Sequence, residues 1–137
     1  MRWLTAIVVI VLDRLFKILA YQQILSHQGK GFLVNQNISF SIPLSNAWAL
    51  AIGIIITLCL VGLAVRHKNN QWPVYGLALT IIGSASNLWD RFHYNGVIDY
   101  IDFGWWPIFN LADLLILIGL AIFFLSLFHK QQIVKNT

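Results

Sequence analysis

Charge is scarce in this sequence of 137 residues. Only 10% of the residues are charged and 58% are hydrophobic, whereas charged residues make up roughly a quarter of an ordinary soluble domain. This composition excludes an ordinary soluble domain and is typical of a protein embedded in a membrane. Acidic residues are the scarcest charged type, since five Asp and Glu side chains stand beside nine Lys and Arg.

Cysteine is almost absent as well. Cys59 is the one cysteine and lies in the middle of an apolar run, so no disulfide framework is possible and cysteine usage does not reveal the compartment. The sequence also lacks a GxxxxGK phosphate loop, an internal repeat and a low-complexity linker. No Ser/His/Asp constellation or set of metal ligands stands out, because only His93 lies near the acidic residues.

Long apolar runs take up most of the chain. A helix needs about 20 mostly apolar residues to cross the hydrocarbon core of a membrane. Four windows qualify, at residues 3–21, 48–65, 72–89 and 111–128. The sequence therefore predicts one domain, residues 1–137, with the fold of an all-α membrane protein that has four transmembrane helices.

The first apolar run differs from the others because charges interrupt it. Asp13, Arg14 and Lys17 lie inside it, and Arg2 precedes it. An apolar run after a basic residue can also be a cleaved secretory signal, but such signals avoid charge in their apolar core and end at a small-residue cleavage site. The stretch "VLDRLFKILAYQQ" has neither feature, so we expect it to remain in the mature protein as the first span.

The distribution of Lys and Arg predicts the orientation of the spans, because cytoplasmic loops and tails are enriched in these residues. If the spans alternate, five basic residues share one side: Arg2, Arg66, Lys68, Lys130 and Lys135. Both termini would then be cytoplasmic, and loops 22–47 and 90–110 would face outward. The net charge of +4 mostly reflects this bias, so it gives no argument for a nucleic-acid partner.

Both predicted outer loops contain a strand-like segment. In "NISFSI", Ile38, Phe40 and Ile42 alternate with polar residues, and this period of two favours a short strand with one apolar face. The segment "GVIDYIDF" has a glycine followed by β-branched and aromatic residues, which suit a second strand. The two strands would pair into a small outward-facing β platform, although the pattern alone also permits two irregular loops.

The few carboxylates are concentrated in one part of the chain. Four of the five, Asp90, Asp99, Asp102 and Asp113, lie within "NLWDRFHYNGVIDYIDFGWWPIFNLAD". At a rise of about 1.5 Å per residue, the fifth, Asp13, lies in the outer half of the first span. Every carboxylate can therefore reach the outer face. On a strand, Asp102 would point away from Asp99, because an odd offset leads to the opposite side.

Two amide and carboxylate pairs are predicted on neighbouring helices. Asn87 and Asp90 are three residues apart at the outer end of the third span, and Asn110 and Asp113 are three apart at the start of the fourth. Residues separated by three share one helix face. Both pairs should therefore point toward the same region of the outward side.

Charged side chains inside a span cost about 2.5 to 3.5 kcal/mol each on insertion scales, and they usually mark a site or a pathway. Asp13 and Lys17 are four residues apart and share a helix face. A neutralising pair that holds helices together is therefore the structural alternative to a functional role. Arg14 lies about 100° around the helix from Asp13 and is expected to point elsewhere.

Structural roles are also available for two of the other acids. Asp90 beside Arg91 could form an ion pair at a helix end, and Asp113 in a first helical turn complements the helix dipole. These roles do not explain why every carboxylate reaches one side. Two carboxyl groups held close together share a proton, so that one is an acid and the other a base. Such a pair can activate a water molecule against a peptide carbonyl.

Five motifs resemble those of the lipoprotein signal peptidases, also called signal peptidase II. In the order found in that family they are "LDRLFK" (12–17), "NQNISFS" (35–41), "GSASNLWDR" (83–91), "GVIDYIDF" (96–103) and "FNLAD" (109–113). With the four predicted spans around them, the resemblance covers nearly the whole chain.

The resemblance implies an aspartic endopeptidase of the bacterial cytoplasmic membrane, expected to be a monomer without a metal or organic cofactor. Its substrate would be a prolipoprotein, cut before a cysteine that carries a diacylglyceryl group, at the outer face of the membrane. Asp99 and Asp113 match the catalytic pair of the family. Seven further residues match positions that shape the site: Asp13, Lys17, Asn35, Asn87, Asp90, Arg91 and Asn110.

The sequence departs from the usual family pattern at four positions. Asn37 and Ser86 stand where the family usually has Gly, Ser39 stands where it often has Ala, and Arg14 stands where Gln is common. Asn tolerates a positive φ better than most residues, and Ser is small enough for close helix packing.

Two other functions therefore remain open. One is an ion- or proton-coupled transporter component that uses the same Asp residues as a relay, although the uncharged second and third spans argue against it. The other is a homologue that binds lipidated peptides without cutting them.

The predicted orientation can be tested by labelling introduced cysteines with a membrane-impermeant reagent. Cysteines placed near Lys30 and Asn95 should react from outside, because these positions lie in the predicted outer loops. Cysteines near Asn69 should stay unmodified, because that loop is predicted to be cytoplasmic. The reverse labelling pattern would contradict the orientation.

Overall fold

The computed structural model describes residues 2–26, 32–36 and 45–135, and these parts are mostly helical. In chain order the elements are α1 (Arg2–Leu25), β1 (Leu33–Asn35), α2 (Asn46–Arg66), α3 (Gln71–Tyr94), β2 (Val97–Asp99) and α4 (Leu111–Lys135). Each predicted apolar window lies within one of these helices, and each helix extends beyond its window. The sequence thus predicted the number of helices in the described parts, but not their full length.

Two of the helices are apolar and long enough to cross a membrane: α2, and residues 111–128 of α4. Only 6% of the apolar window of α2 is buried within the chain, so most of its apolar side chains face outward. An apolar helix exposed in this way is typical of a lipid environment. Helices α1 and α3 carry most of the buried charged and polar side chains of the described residues.

Helix α3 lies at the centre of the fold and packs most extensively against α4. Small residues bring these two backbones together. A Cβ atom added at Gly119 would lie 2.5 Å from the backbone oxygen of Gly76, and one added at Gly83 would lie 2.5 Å from the backbone oxygen of Ala112. Helices within a membrane associate through small residues of this kind.

The two strands pair antiparallel, with Val34 opposite Ile98 at the centre. β2 lies within the predicted segment "GVIDYIDF", as expected. β1 comes before the predicted segment "NISFSI", whose residues 37–42 lie outside the described parts of the chain. Beyond β2, Ile101 and Phe109 form a backbone bridge, which closes the loop before α4.

A tight turn joins α3 to β2. Asn95 ends the helix in the left-handed conformation with φ 58°, a common way to terminate a helix. The next residue, Gly96, approaches β1 so closely that an added Cβ would lie 2.7 Å from the side chain of Val34. The turn therefore directs β2 back over the end of the helices, with Asp99 as its last residue.

The contact between α3 and α4 predicts a strong effect of one added methyl group. Gly119→Ala should lower the free energy of unfolding by about 1–3 kcal/mol, because overpacking forces two backbones apart. Gly62→Ala is the matched control, since no atom lies within 4 Å of a Cβ added there. Thermal unfolding in detergent would compare the two, and equal melting temperatures would contradict the close packing.

Candidate active site

Two buried carboxylates and two cations form an ion cluster between α1 and α3. Lys17 Nζ lies 2.7 Å from Asp90 Oδ2 and 3.3 Å from Asp13 Oδ2. Arg14 Nη1 lies 2.9 Å from Asp90 Oδ1, and Arg14 Nη2 lies 3.2 Å from Asp13 Oδ2. Asp13 and Asp90 are both 0% exposed. Two negative and two positive charges thus balance within this ion cluster.

The structure corrects one sequence-based expectation. Arg14 was expected to point away from Asp13, but its long side chain bends back around α1 to contact both carboxylates. Asp90 was considered as a partner of Arg91; its charge acts on Arg91, and it also forms ion pairs with Lys17 and Arg14 on another helix. The alternative in which Asp13 and Lys17 form a neutralising pair is confirmed, with Asp90 as a third member.

Ser86 and Tyr100 complete the surroundings of Asp13. The Ser86 hydroxyl donates to Asp13 Oδ2 at 2.7 Å and accepts from Arg14 Nη2 at 2.6 Å. Tyr100 donates to Asp13 Oδ1 at 3.0 Å, and the backbone N–H of Ala112 donates to the same oxygen at 3.2 Å. Asp13 therefore connects α1 with α3, the loop after β2 and the start of α4.

A hydrogen-bonded path leads from the ion cluster to Asp113. Lys17 Nζ donates to Asn87 Oδ1 at 2.8 Å, and Asn87 Nδ2 donates to Asp113 Oδ1 at 2.8 Å. The other oxygen, Asp113 Oδ2, accepts from the backbone N–H of Asn110 at 3.2 Å. Both oxygens of Asp113 therefore have a neutral donor.

Asp99 is held in a similar way. Its Oδ2 accepts from Asn35 Nδ2 at 3.0 Å, and its Oδ1 accepts from Asn110 Nδ2 at 2.7 Å. Asn110 also caps the start of α4, because its Oδ1 accepts from the backbone N–H of Asp113 at 3.0 Å. One asparagine thus ties the two aspartates together.

The surroundings of Asp99 favour its protonated form. Burial raises the pKa of Asp99 to about 7, with the hydrogen bond from Asn35 opposing this shift and the nearby charge of Asp113 adding to it. Asp99 therefore holds a proton at a higher pH than an ordinary aspartate does. A carboxyl group in this state can donate or accept a proton at little cost.

Eight of the nine predicted site residues join this connected set of ion pairs and hydrogen bonds: Asp13, Lys17, Asn35, Asn87, Asp90, Asp99, Asn110 and Asp113. The ninth, Arg91, forms hydrogen bonds through its side chain and its carbonyl oxygen to Asn46 at the start of α2, and its charge acts on Asp99, Asp113 and Asp90. Among residues 2–26, 32–36 and 45–135, no group of three or more His, Cys, Asp or Glu is arranged to hold a metal ion.

Asp102 lies outside the strand, and its exposed side chain accepts a hydrogen bond from the backbone N–H of Gly104 at 2.7 Å. The argument from strand register was therefore wrong, since β2 ends at Asp99. Sequence reasoning missed three contributors to the site: Arg14, Ser86 and Tyr100. Arg14 and Ser86 differ from the family pattern, which was the one available signal, while Tyr100 gave no signal beyond its place next to Asp99.

The fold is similar to solved structures of bacterial membrane enzymes. One, obtained by the in meso method at 2.3 Å resolution, has a TM-score of 0.78 at 24% sequence identity and covers 95% of this chain and 88% of its own. Another, at 1.9 Å resolution, has a TM-score of 0.73 at 25% identity and covers 92% and 91%. Both matches cover most of each chain, so this chain has the fold of these membrane enzymes.

The particular family follows from the sequence comparison. The profile of the signal peptidase II family matches residues 5–129, and the chain belongs to this family. The resemblance inferred from the five motifs is confirmed.

Individual relatives agree with this result. The lipoprotein signal peptidase of Syntrophomonas wolfei is 30% identical over 127 residues and 85% of each chain. The lipoprotein signal peptidase of Paraburkholderia phytofirmans is 33% identical over 143 residues, covering 90% of this chain and 83% of its own. The lipoprotein signal peptidase of Halothermothrix orenii is 26% identical, covering 97% and 99%.

The raised pKa of Asp99 predicts a stability that depends on pH. The folded protein binds this proton more tightly than the unfolded chain, in which the pKa is 3.8. The contribution of Asp99 to the free energy of unfolding should therefore fall as the pH rises from about 4 to about 7. Asp99→Asn removes this contribution. The melting temperature of the variant, minus that of the wild type, should therefore increase as the pH rises from about 4 to about 7.

The matched control is Asp102→Asn, because the Asp102 side chain is exposed. Between about pH 4 and pH 7 the difference in melting temperature from the wild type should change more for Asp99→Asn than for Asp102→Asn. A difference for Asp99→Asn that does not change with pH would contradict the preference for a protonated Asp99.

Proposed function

We propose that this chain is an aspartic endopeptidase that removes the signal peptide from diacylglyceryl-modified bacterial prolipoproteins, cutting before the lipidated cysteine. One observation carries the mechanism: Asp99 and Asp113 share Asn110 as a hydrogen-bonding partner, and every carboxyl oxygen of the pair accepts a neutral donor. The relatives named lipoprotein signal peptidase support the choice of substrate.

Asp99 and Asp113 act as one unit that holds one proton. Asp99 carries this proton at the start, as its pKa of about 7 allows, while Asp113 is ionised. As water attacks the scissile carbonyl carbon, Asp113 takes a proton from the water and Asp99 gives its proton to the carbonyl oxygen. The tetrahedral diol then collapses: the proton on Asp113 passes to the leaving nitrogen, and a diol hydroxyl returns a proton to Asp99.

The asparagines keep this pair ready for proton transfer. Each is an uncharged donor, so none of them fixes a negative charge on one particular oxygen in the way that a cation would. Asn87 and Asn110 orient Asp113, and Asn35 and Asn110 orient Asp99. Groups held in reacting geometry avoid the entropic cost of assembling them, which accounts for much of the rate in enzymes.

We further propose that the whole chain, residues 1–137, is one domain with four transmembrane helices, acting as a monomer in the cytoplasmic membrane. Both termini are cytoplasmic and the two strands face outward. Support comes from the position of Asp99 just after α3 and of Asp113 in the first turn of α4, at one end of these helices. Arg66 and Lys68 lie at the opposite end, as the orientation requires.

This arrangement also explains how a lipid-modified protein can be the substrate. The candidate pair lies at the ends of apolar helices, where the hydrocarbon core gives way to water. A diacylglyceryl group can stay among the lipids while the peptide bond next to it reaches Asp99 and Asp113. Membrane lipid is therefore a partner of the reaction, and no nucleic acid takes part.

A cleavage assay with purified protein in lipid or detergent tests this function. A diacylglyceryl-modified lipobox peptide should be cut immediately before its modified cysteine, and the same peptide without lipid should not be cut. Equal cutting of both peptides would rule out the lipid specificity. Failure to cut either peptide would favour the homologue that only binds.

The same assay tests the assignment of the catalytic pair. Asp99→Asn and Asp113→Asn should each abolish cleavage, because an amide keeps the shape but cannot transfer the proton. The double variant should lose no more than either single variant, since the two residues act as one unit. The control Asp102→Asn should keep substantial activity. Near-normal turnover by either single variant would refute the assignment.

A further inference from the structure

Arg14 is a half-buried cation without a role in the proposed proton transfers. Its guanidinium contacts three side-chain oxygens: Asp90 Oδ1 at 2.9 Å, Asp13 Oδ2 at 3.2 Å and Ser86 Oγ at 2.6 Å. The planar fork of an arginine suits this kind of multiple contact, which a lysine makes less well. The group is therefore bound at a defined position between α1 and α3.

Arg14 changes the charge balance of the ion cluster. Asp13 and Asp90 are fully buried, and Lys17 is 1% exposed, so loss of Arg14 would remove two of the four ion pairs that these carboxylates form with Arg14 and Lys17. An uncompensated buried charge is strongly destabilising. In that case Lys17 would be drawn toward the carboxylates, or one carboxylate would take up a proton. Arg14 removes this demand by supplying the second positive charge.

The charge balance of the ion cluster affects the hydrogen bond from Lys17 to Asn87, because Lys17 has only three N–H groups. One is directed at Asp90 Oδ2 at 2.7 Å and one at Asn87 Oδ1 at 2.8 Å, and the third lies between Asp13 Oδ2 and Ser86 Oγ. With Arg14 sharing both carboxylates, Lys17 can keep one N–H group on Asn87.

The hydrogen bond from Lys17 fixes which way the Asn87 amide points. An ammonium group can only donate, so it selects the amide oxygen, Asn87 Oδ1. The amide nitrogen is then directed at Asp113 Oδ1, 2.8 Å away. A flipped amide would instead place its oxygen against the carboxylate of Asp113. The state of the ion cluster therefore decides whether Asp113 keeps this donor.

Ser86 holds Arg14 in place for this role. Its hydroxyl accepts from Arg14 Nη2 and donates to Asp13 Oδ2, so it links the guanidinium to the carboxylate. It also precedes Asn87 in the chain, one residue from the amide that the ion cluster orients. A groove of about 280 Å³ beside Arg14, lined also by Ile10, Ile82, Ala85 and Trp89, leaves room for other side chains at position 14.

We propose that Arg14 and Ser86 are positioning residues for the candidate catalytic pair. By neutralising Asp13 and Asp90 they leave Lys17 free to hold the Asn87 amide, so that Asn87 donates to Asp113. This inference rests on the proposed function for its kinetic consequences, while the orientation of the Asn87 amide can be observed without any substrate.

The kinetic test uses Arg14→Gln, which removes the charge, Ser86→Ala, which removes the hydroxyl, and Arg14→Lys, which keeps the charge. For the lipidated peptide, Arg14→Gln should lower kcat about tenfold or more with KM unchanged, because a misplaced catalytic group slows the chemical step. Ser86→Ala should lower kcat by a smaller factor. Arg14→Lys should recover most of the loss. The exposed Arg66→Gln is the matched control and should keep wild-type kinetics.

The structural test observes the side-chain amide of Asn87 by NMR, with isotope-labelled asparagine in detergent. The wild type and Arg14→Lys should each give one sharp amide signal pair. Arg14→Gln should give broadened or doubled signals, because its amide is no longer held in one orientation. Melting temperatures measured on the same samples identify a variant that fails to fold, and Ser86→Ala then decides the outcome.

Several results would overturn the proposal. They are an unchanged kcat and an unchanged Asn87 signal in both Arg14→Gln and Ser86→Ala, a loss confined to KM, or a loss that Arg14→Lys does not relieve. A wild type that leaves the lipidated peptide uncut would refute the proposed function instead. In that event the Asn87 signals alone would decide whether Arg14 and Ser86 position the amide.

Discussion

The neutral cluster of Asp13, Arg14, Lys17 and Asp90 is the interaction on which the rest of the structure depends. Each of these charges would be costly alone in an apolar surrounding, and together they sum to zero. The four side chains lie on α1 and α3. Asp13 also accepts a hydrogen bond from the backbone N–H of Ala112, at the start of α4. The ion cluster therefore joins α1 to α3 and also holds groups next to the candidate site.

The neutrality of this cluster would also help the candidate catalytic pair to share a proton. A net positive cluster next to Asp113 would favour ionisation of both aspartates, and a net negative one would favour protonation of both. The donors that contact the two carboxyl groups directly are the uncharged Asn35, Asn87 and Asn110, while Arg91 and Lys17 act on them through their charge. The two carboxyl groups can then differ in protonation, which general acid and base catalysis requires.

Sequence reasoning located the four helices of the described residues, although not their full length, and most residues of the candidate site. The physical reasons can be named. Runs of apolar residues mark the helices, and the spacing of Asn87 from Asp90 fixes a common helix face. The direction of Arg14 was not predictable in this way, because helix periodicity gives the direction of the Cα–Cβ bond and not the reach of a long side chain. Tyr100 acts on Asp13 across 87 positions of sequence, a contact that no local pattern encodes.

The strands were less predictable than the helices. β1 has three residues, too few to show a period of two, and its role follows from pairing with β2. Composition and spacing do not distinguish Asp99 from Asp102 as a candidate catalytic residue. The resemblance to a family made that distinction. Only Asp99 lies where the strand meets the start of α4, within reach of Asn110.

The glycine contacts between α3 and α4 also bear on movement. Gly76, Gly83 and Gly119 bring the two backbones into close contact, so sliding or separation of this pair would break many contacts at once. The end of α3 leads into β2 and Asp99, and the start of α4 carries Asp113. The two members of the candidate pair are thus carried by helices whose backbones cannot separate without loss of the glycine contacts. The distance between Asp99 and Asp113 is therefore set by the packing of α3 against α4, and a change at a glycine far from both carboxyl groups would alter it.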